Sequence, residues 1–223
     1  MKINILTIFP EMFDALKASL LKKAQEKGAI EINILNIRDF SLDKHKKTDD
    51  YPFGGGCGML MTPQPIYDCL TSIKGYEKAH KIYMSPKGQV LNQKKVKQLA
   101  NFEHLIILCG HYEGVDQRII DLLIDEEISI GDYVLTGGEI PAMVVCDCVS
   151  RYIPSVLGNS QSTEDESFSN GMLEYPQYTR PQEFKGLKVP DVLVSGDHAK
   201  VDAWRKEQAK KITKTRRPDL SGE

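Results

Sequence analysis

Short apolar segments rich in β-branched residues alternate along this chain with segments whose apolar residues have a helical spacing. This alternation restricts the possible folds more than any other feature of the sequence. The strand-like segments are residues 2–9, 30–37, 81–85 and 104–109. The segments with a helical spacing of apolar side chains are residues 10–27, 65–73, 92–99, 116–124 and 139–152. Such alternation predicts an α/β domain whose sheet is mostly parallel.

Charge and cysteine usage narrow the class of protein. The net charge of the 223 residues is −2, so a nucleic-acid site has to be a local basic patch. The five cysteines are odd in number and form no Cys-x-x-Cys pair, which predicts a reducing cytoplasm without a disulfide framework. Cys146 and Cys148 lie in an apolar stretch and are predicted to be small buried side chains. The first apolar run is too short for a signal peptide, and no run approaches the length of a membrane span.

The chain changes character near residue 158. Residues 159–170 are rich in Ser, Asn and acids without a hydrophobic period, which predicts a flexible linker over 159–175. Residues 176–223 then form a small, mainly helical domain, with eight Lys and Arg against two acids between residues 198 and 217. This basic segment fits phosphate contacts along an RNA stem, although charge runs are often only solvated faces. Candidate RNA contacts are Arg180, His198, Arg205 and Arg217, with a capping role open for His198.

Three glycine-containing corners follow strands in the larger domain. They comprise residues 85–88, 109–114 and 130–139. In an open α/β sheet ligands bind at the carboxyl ends of the strands, and glycines there let the backbone approach a ligand closely. The corners are either ordinary tight turns or the walls of one pocket. Neither a Gly-x-Gly-x-x-Gly fingerprint after the first strand nor a P-loop occurs, which argues against a dinucleotide or ATPase site.

Four motifs in one order resemble the bacterial tRNA (guanine-37-N1) methyltransferases of the SPOUT superfamily. They are TDDYPFGGGCGM at 48–59, CGHYEG at 109–114, SIGDYVLTGGE at 129–139 and YPQYTRP at 175–181. The similarity covers nearly the whole chain. It implies a SPOUT-type parallel α/β sheet with a deep trefoil knot over residues 1–158, S-adenosylmethionine bound in that knot, a homodimer, and methylation of ring nitrogen 1 of guanine 37 in tRNA.

The resemblance also assigns roles to residues at the matching positions. The cofactor would be held by Pro86, Gly110, Tyr112, Glu113, Ile130, Gly131, Asp132, Tyr133, Val134, Leu135, Gly137 and Gly138. The loop containing Gly54, Gly55, Gly56 and Gly58, with Asp50 beside it, would approach a guanine flipped out of its stack. The family is reported to use Mg²⁺, but no metal-ligand spacing in this sequence indicates a metal site. Asp49 and Asp50 are equally compatible with a loop or capping role.

Methylation of N1 requires a base and a stabilised oxyanion, and the family supplies both. A carboxylate takes the N1 proton, and an arginine stabilises negative charge on the neighbouring oxygen. The arginine falls on Arg151. The family's acid, commonly aspartate, precedes Ser-Phe, and here Glu166 occupies that place while Asp165 lies one residue earlier. Glu166 is the favoured base and Asp165 the alternative.

Two other functions remain possible at the level of sequence. One is a SPOUT methyltransferase for a different RNA position, against which the acid-Ser-Phe and YPQYTRP motifs argue. The other is an RNA-binding module without catalysis, which only the exchange of aspartate for Glu166 favours.

Overall fold

The computed structural model describes residues 1–157 and 166–221. The chain divides into two compact units, Met1–Gly158 and Asn159–Glu223. The predicted base Asp165 lies outside the described residues.

A five-stranded parallel sheet forms the centre of the first unit. The strands of this unit are β1 (Lys2–Thr7), β2 (Glu31–Asn36), β3 (Asp49–Asp50), β4 (Leu60–Met61), β5 (His80–Val90), β6 (His104–Cys109) and β7 (Glu126–Ser129). The sheet order is β2-β1-β6-β5-β7, and all its pairings are parallel. The predicted α/β fold with a parallel sheet is therefore confirmed.

Helices cover both faces of this sheet. They are α1 (Ser19–Glu26), α2 (Pro63–Thr71), α3 (Gln93–Leu99), α4 (Gln117–Leu123) and α5 (Glu139–Ser150). One core joins α1, α3 and α5 to one side of the strands, and a second core joins α2 and α4 to the other. Successive residues of β6 alternate between the cores, with Ile107 in the first and Leu108 in the second.

The predicted continuous helix over residues 10–27 is wrong. A 3-10 helix, Pro10–Lys17, is separated from α1 by extended backbone at Ala18 and a positive φ of 52° at Ser19. Both segments bury apolar side chains in the same core, Phe13 in the first and Leu21 in the second. Because tertiary burial outweighs local helical periodicity, the chain breaks to satisfy both contacts.

Two further elements differ from the sequence-based expectation. The segment between β2 and α2 contains the short antiparallel hairpin β3–β4, which is not among the predicted strands. Strand β5, predicted over residues 81–85, extends to Val90, because it pairs with β7 on both sides of a bulge between Met84 and Gln89. This bulge contains the first glycine corner.

The second unit contains a hairpin and two helices. Its elements are β8 (Glu183–Phe184), β9 (Leu187–Lys188), α6 (Asp191–Val194) and α7 (His198–Arg216). The hydroxyl of Thr213, buried in α7, donates to the Ala209 carbonyl at 2.7 Å and accepts from the Leu173 amide at 2.8 Å. The segment before the hairpin is thereby attached to the basic helix.

Candidate functional site

The carboxyl ends of β5, β6 and β7 meet in a cleft of about 290 Å³ in the first unit. All the residues predicted to hold the cofactor line this cleft, except Asp132. The three corners come together because their strands are neighbours in the sheet, so their carboxyl ends share one edge. Asp132 belongs to the third corner but is not among the lining residues.

The second and third corners pack so closely that they require glycine. The Gly138 amide donates to the Gly110 carbonyl at 2.8 Å. A Cβ at Gly138 would lie 2.9 Å from Cα of Cys109, closer than real Cβ atoms approach a backbone. Gly137 forms an isolated antiparallel bridge with His111. Backbone groups of these glycines therefore form part of the cleft wall.

Sequence reasoning missed several residues of this cleft. They include Tyr83, Ser85, Lys87, His111, Glu127, Ser129 and Thr136. None of these was named as a cofactor contact, although Ser85, Lys87, His111 and Thr136 lie within the predicted corners and Ser129 adjoins one. Tyr83 is different, because it lies inside β5 and only the fold brings its ring against Gly110. Burial raises the pKa of the Tyr83 phenol to about 12, so the hydroxyl stays protonated and can donate a hydrogen bond.

The glycine loop lies against the second corner. Backbone hydrogen bonds join the Glu113 amide to the Met59 carbonyl at 3.1 Å and the Met61 amide to the Gly114 carbonyl at 2.9 Å. Gly54, Gly55, Gly56 and Gly58 all have positive φ, which favours glycine. A Cβ at either Gly54 or Gly55 would have no atom within 4 Å, so the tip of the loop has open space around it.

Asp50 is exposed beside this loop, with its carboxylate 3.8 Å from the Lys47 ammonium. Across residues 1–157 and 166–221, no group of three acidic, histidine or cysteine side chains is arranged to hold a metal ion. Within the same ranges, no helix has the length and apolar character needed to cross a membrane.

Arg151 follows the last residue of α5, while the cleft lies at its first turn. The helix has 12 residues, so a rise of 1.5 Å per residue separates its ends by about 18 Å. Arg151 is half-buried and does not line the cleft. The fold of the first unit therefore does not bring Arg151 to the predicted cofactor residues of the same unit.

The second unit has its own groove, of about 510 Å³, beside the basic helix. Glu166, Tyr175, Arg205 and Lys210 are among its lining residues. The Arg205 guanidinium lies 4.9 Å from the centre of the Tyr175 ring, a distance at which cation–π attraction operates. The structure therefore places the predicted base and one predicted RNA contact in the same groove.

The other predicted RNA contacts have different surroundings. Arg180 and His198 are exposed, and the side chain of Asp197, not His198, caps α7 by accepting from the Lys200 amide. Arg217 makes a two-pronged ion pair with Asp219 and lies 5.7 Å from the ring centre of Phe168. Arg217 thus has a structural role besides any contact with RNA.

Comparison with known proteins agrees with the motifs. The family model described as tRNA (Guanine-1)-methyltransferase TrmD matches residues 1–223. A tRNA (guanine-N(1)-)-methyltransferase of Clostridioides difficile is 57% identical across 99% of this chain and 97% of that protein. Its counterparts in Alkaliphilus metalliredigens and Ruminiclostridium cellulolyticum are 60% and 58% identical, each over 99% of this chain and over 91% and 96% of their own lengths.

Matches of this extent leave no part of the chain outside the similarity, and they agree with the parallel sheet and the glycine corners described above. The chain belongs to the tRNA (guanine-1)-methyltransferase TrmD family.

Proposed function

We propose that this protein transfers a methyl group from S-adenosylmethionine to ring nitrogen 1 of guanine 37 in tRNA. One observation carries the proposal: the glycine loop is hydrogen-bonded to the same corner that lines the glycine-walled cleft. A base seated at the loop and a cofactor in the cleft would therefore be neighbours. Family membership supplies the reaction class.

The residues of the cleft fit the chemistry of the proposed cofactor. Backbone amides and carbonyls of the glycine corners suit the edge of an adenine, and Ile130 and Leu135 offer apolar surface to its faces. The Glu113 carboxylate suits a cationic group. When bound, S-adenosylmethionine supplies a methyl group already activated by its sulfonium.

The protein's own contribution is to position the guanine, remove a proton and stabilise charge. Glu166 accepts the N1 proton as a general base, with Asp165 as the alternative acid. Arg151 stabilises the negative charge that then develops on the guanine oxygen. Glycines 54–58 let the extruded base approach the backbone without steric conflict.

We further propose that the active site is completed by a second copy of the chain. Support comes from Arg151, which lies about 18 Å along α5 from the cleft of its own unit. A symmetric pair would let the arginine of one copy serve the cleft of the other.

A trefoil knot in the first unit belongs to the same proposal. After the edge strand β7, the chain returns past Gly110 and begins α5 beside β1 and β6. This crossing of the carboxyl edge supports a knotted path around the cofactor.

Recognition of the tRNA anticodon stem is assigned to the second unit. The exposed cations of α7 include Lys200, Lys206, Lys210, Lys211, Lys214 and Arg216. Neutralisation of backbone phosphates by such a row gives affinity without reading the sequence. The magnesium requirement implied by the family remains an expectation, since residues 1–157 and 166–221 contain no cluster of side chains arranged to hold a metal ion.

The deciding experiment measures methyl transfer from labelled S-adenosylmethionine to unmodified tRNA transcripts with guanine or adenine at position 37. Label on the guanine transcript alone supports the proposal. Binding of both cofactor and tRNA without transfer would instead identify an RNA-binding protein that lacks catalysis.

A further inference from the structure

Glu139 is a buried carboxylate that directly follows Gly138, a lining residue of the cofactor cleft. It is the first residue of α5, and only 1% of its surface is exposed. Burial of a carboxylate costs free energy unless hydrogen bonds or opposite charge compensate it. The helix N-terminus gives part of this compensation, and the Thr7 hydroxyl at the end of β1 donates to Oε1 at 2.8 Å. The second carboxylate oxygen, Oε2, takes no part in this hydrogen bond.

The second oxygen faces His111. The distance from Oε2 to Nδ1 of His111 is 3.8 Å. This Nδ1 is buried and has no hydrogen-bond partner in the part of the chain that the structure describes. The His111 ring packs against two aromatic rings, with centroids 4.8 Å from Phe9 and 5.0 Å from Tyr112. A movement of about 1 Å closes a normal N–H to carboxylate hydrogen bond.

Gly137 keeps the space between these two side chains open. A Cβ there would lie 2.6 Å from Nδ1 of His111 and would also collide with the Glu139 carboxylate. The same glycine pairs with the His111 backbone in the antiparallel bridge. His111 therefore joins the second corner to the third by its backbone and directs its side chain to the carboxylate beneath both.

We propose that Glu139 is a positioning residue that acts through His111: the Thr7–Glu139–His111 chain of contacts fixes the second and third corners in the arrangement that binds the cofactor. Closure of the His111–Glu139 hydrogen bond orients the imidazole and, with it, the adjoining residues Tyr112 and Glu113. A buried hydrogen bond to a charged acceptor is stronger than a neutral one, so it suits this role. The inference rests on S-adenosylmethionine as the ligand of the cleft.

The test measures the dissociation constant for S-adenosylmethionine by calorimetry, without tRNA or methyl transfer. His111→Ala is expected to weaken binding about tenfold, and His111→Asn, whose amide can occupy the place of Nδ1–H, to restore it to within about threefold. Glu139→Gln keeps the shape but removes the charge, so it is expected to weaken binding about threefold. In the His111→Ala background, Glu139→Gln should have no further effect, because the two residues act through one contact.

A matched control lies at the amino end of β5, whereas the cleft lies at its carboxyl end. His80, the first residue of β5, contacts the Glu126 carboxylate at 2.6 Å and is also partly buried. His80→Ala removes a comparable histidine–carboxylate pair of which neither member lines the cleft, and it should leave the cofactor affinity unchanged.

A second measurement separates positioning from general stability. In the protein without cofactor, amide exchange of residues 110–114 should quicken in His111→Ala and return towards the wild-type rate in His111→Asn. Equal affinity of His111→Ala and wild type, additive effects in the double variant, or an equal loss in His80→Ala would each overturn the inference. Failure of the wild type to transfer methyl while it binds cofactor would overturn the proposed function only, since these readouts require no transfer.

Discussion

Gly58 and Glu113 are in direct contact: a Cβ at residue 58 would lie 2.5 Å from Oε1 of Glu113. One residue belongs to the glycine loop and the other to the cofactor cleft. The absence of a side chain at position 58 is thus what allows the two parts of the proposed active site to touch.

Gly58→Ala should therefore impair methyl transfer. The added methyl group displaces the Glu113 carboxylate, and an error of about 1 Å in an active site costs about 10- to 100-fold in rate. Steady-state kinetics with tRNA measures the loss in kcat/KM. Gly75→Ala is the matched control, because Gly75 has a similar φ of 80° but no atom within 4 Å of its Cβ position. Both variants lose stability from backbone strain of about 1–2 kcal/mol, and an equal loss of activity in both would contradict the steric argument.

Gly138→Ala should abolish tight cofactor binding without backbone strain. The φ of Gly138 is −84°, which alanine adopts freely, so it is the close approach to Cys109, Gly110 and Met84 that opposes the new methyl group. We expect the affinity for S-adenosylmethionine, measured by calorimetry, to fall by more than about tenfold, which corresponds to about 1.4 kcal/mol. Unchanged affinity would mean that the second and third corners separate readily.

Glu166→Gln should reduce the rate of methyl transfer in a single turnover by at least about 100-fold, the usual contribution of a general base. Glu166→Asp should retain much of the rate. Glu174 lines the same groove, and Glu174→Gln provides a control with an identical chemical change. If Glu166→Gln transfers methyl at the wild-type rate, the base is a different group, with Asp165 the next to substitute.

Alkylation with N-ethylmaleimide should modify Cys57 first. Cys57 is exposed in the glycine loop, whereas burial raises the pKa of Cys69 and Cys146 to about 12 and that of Cys109 well above its usual value. Thiolates are the reactive form, so these buried thiols react slowly below pH 9. An adduct in the loop should block tRNA methylation, and mass spectrometry locates it. Cys57→Ser should resist inactivation; inactivation at the wild-type rate in that variant would place the sensitive thiol elsewhere.

Lys214→Gln should weaken tRNA binding and reduce its dependence on salt. Lys214 is exposed in the last turn of α7, and loss of one phosphate contact lowers the logarithmic salt slope by about 1. Filter binding at several salt concentrations measures the slope. Lys22→Gln, on the exposed surface of α1, is the control, and an equal change in slope for both lysines would argue against a role specific to α7.

The sequence predicted most strands of the parallel sheet and the three corners, because apolar β-branched runs and glycines act locally. A shared pocket for the three corners was one of two alternatives, since the carboxyl ends of neighbouring parallel strands share one edge. The individual cofactor residues were assigned by the family resemblance and not by strand geometry. Long-range packing decided the remainder. The break at Ala18 depends on a core shared by Phe13 and Leu21. Nothing in the sequence distinguishes Glu139 from other acids in the first turn of a helix, and only the fold shows its burial and its hydrogen bond with Thr7.

The proposed recognition of the cofactor through glycine backbone has a consequence for inhibition. A compound that binds the same amides and carbonyls as the cofactor would be difficult to evade by mutation. Gly137 and Gly138 cannot gain a side chain without collision with His111 or Cys109, so substitutions that exclude such a compound would also damage the cleft itself. Resistance would have to arise at exposed side chains around the cleft, such as Tyr133 and Val134. The potency of a compound should therefore not depend on contacts with these side chains.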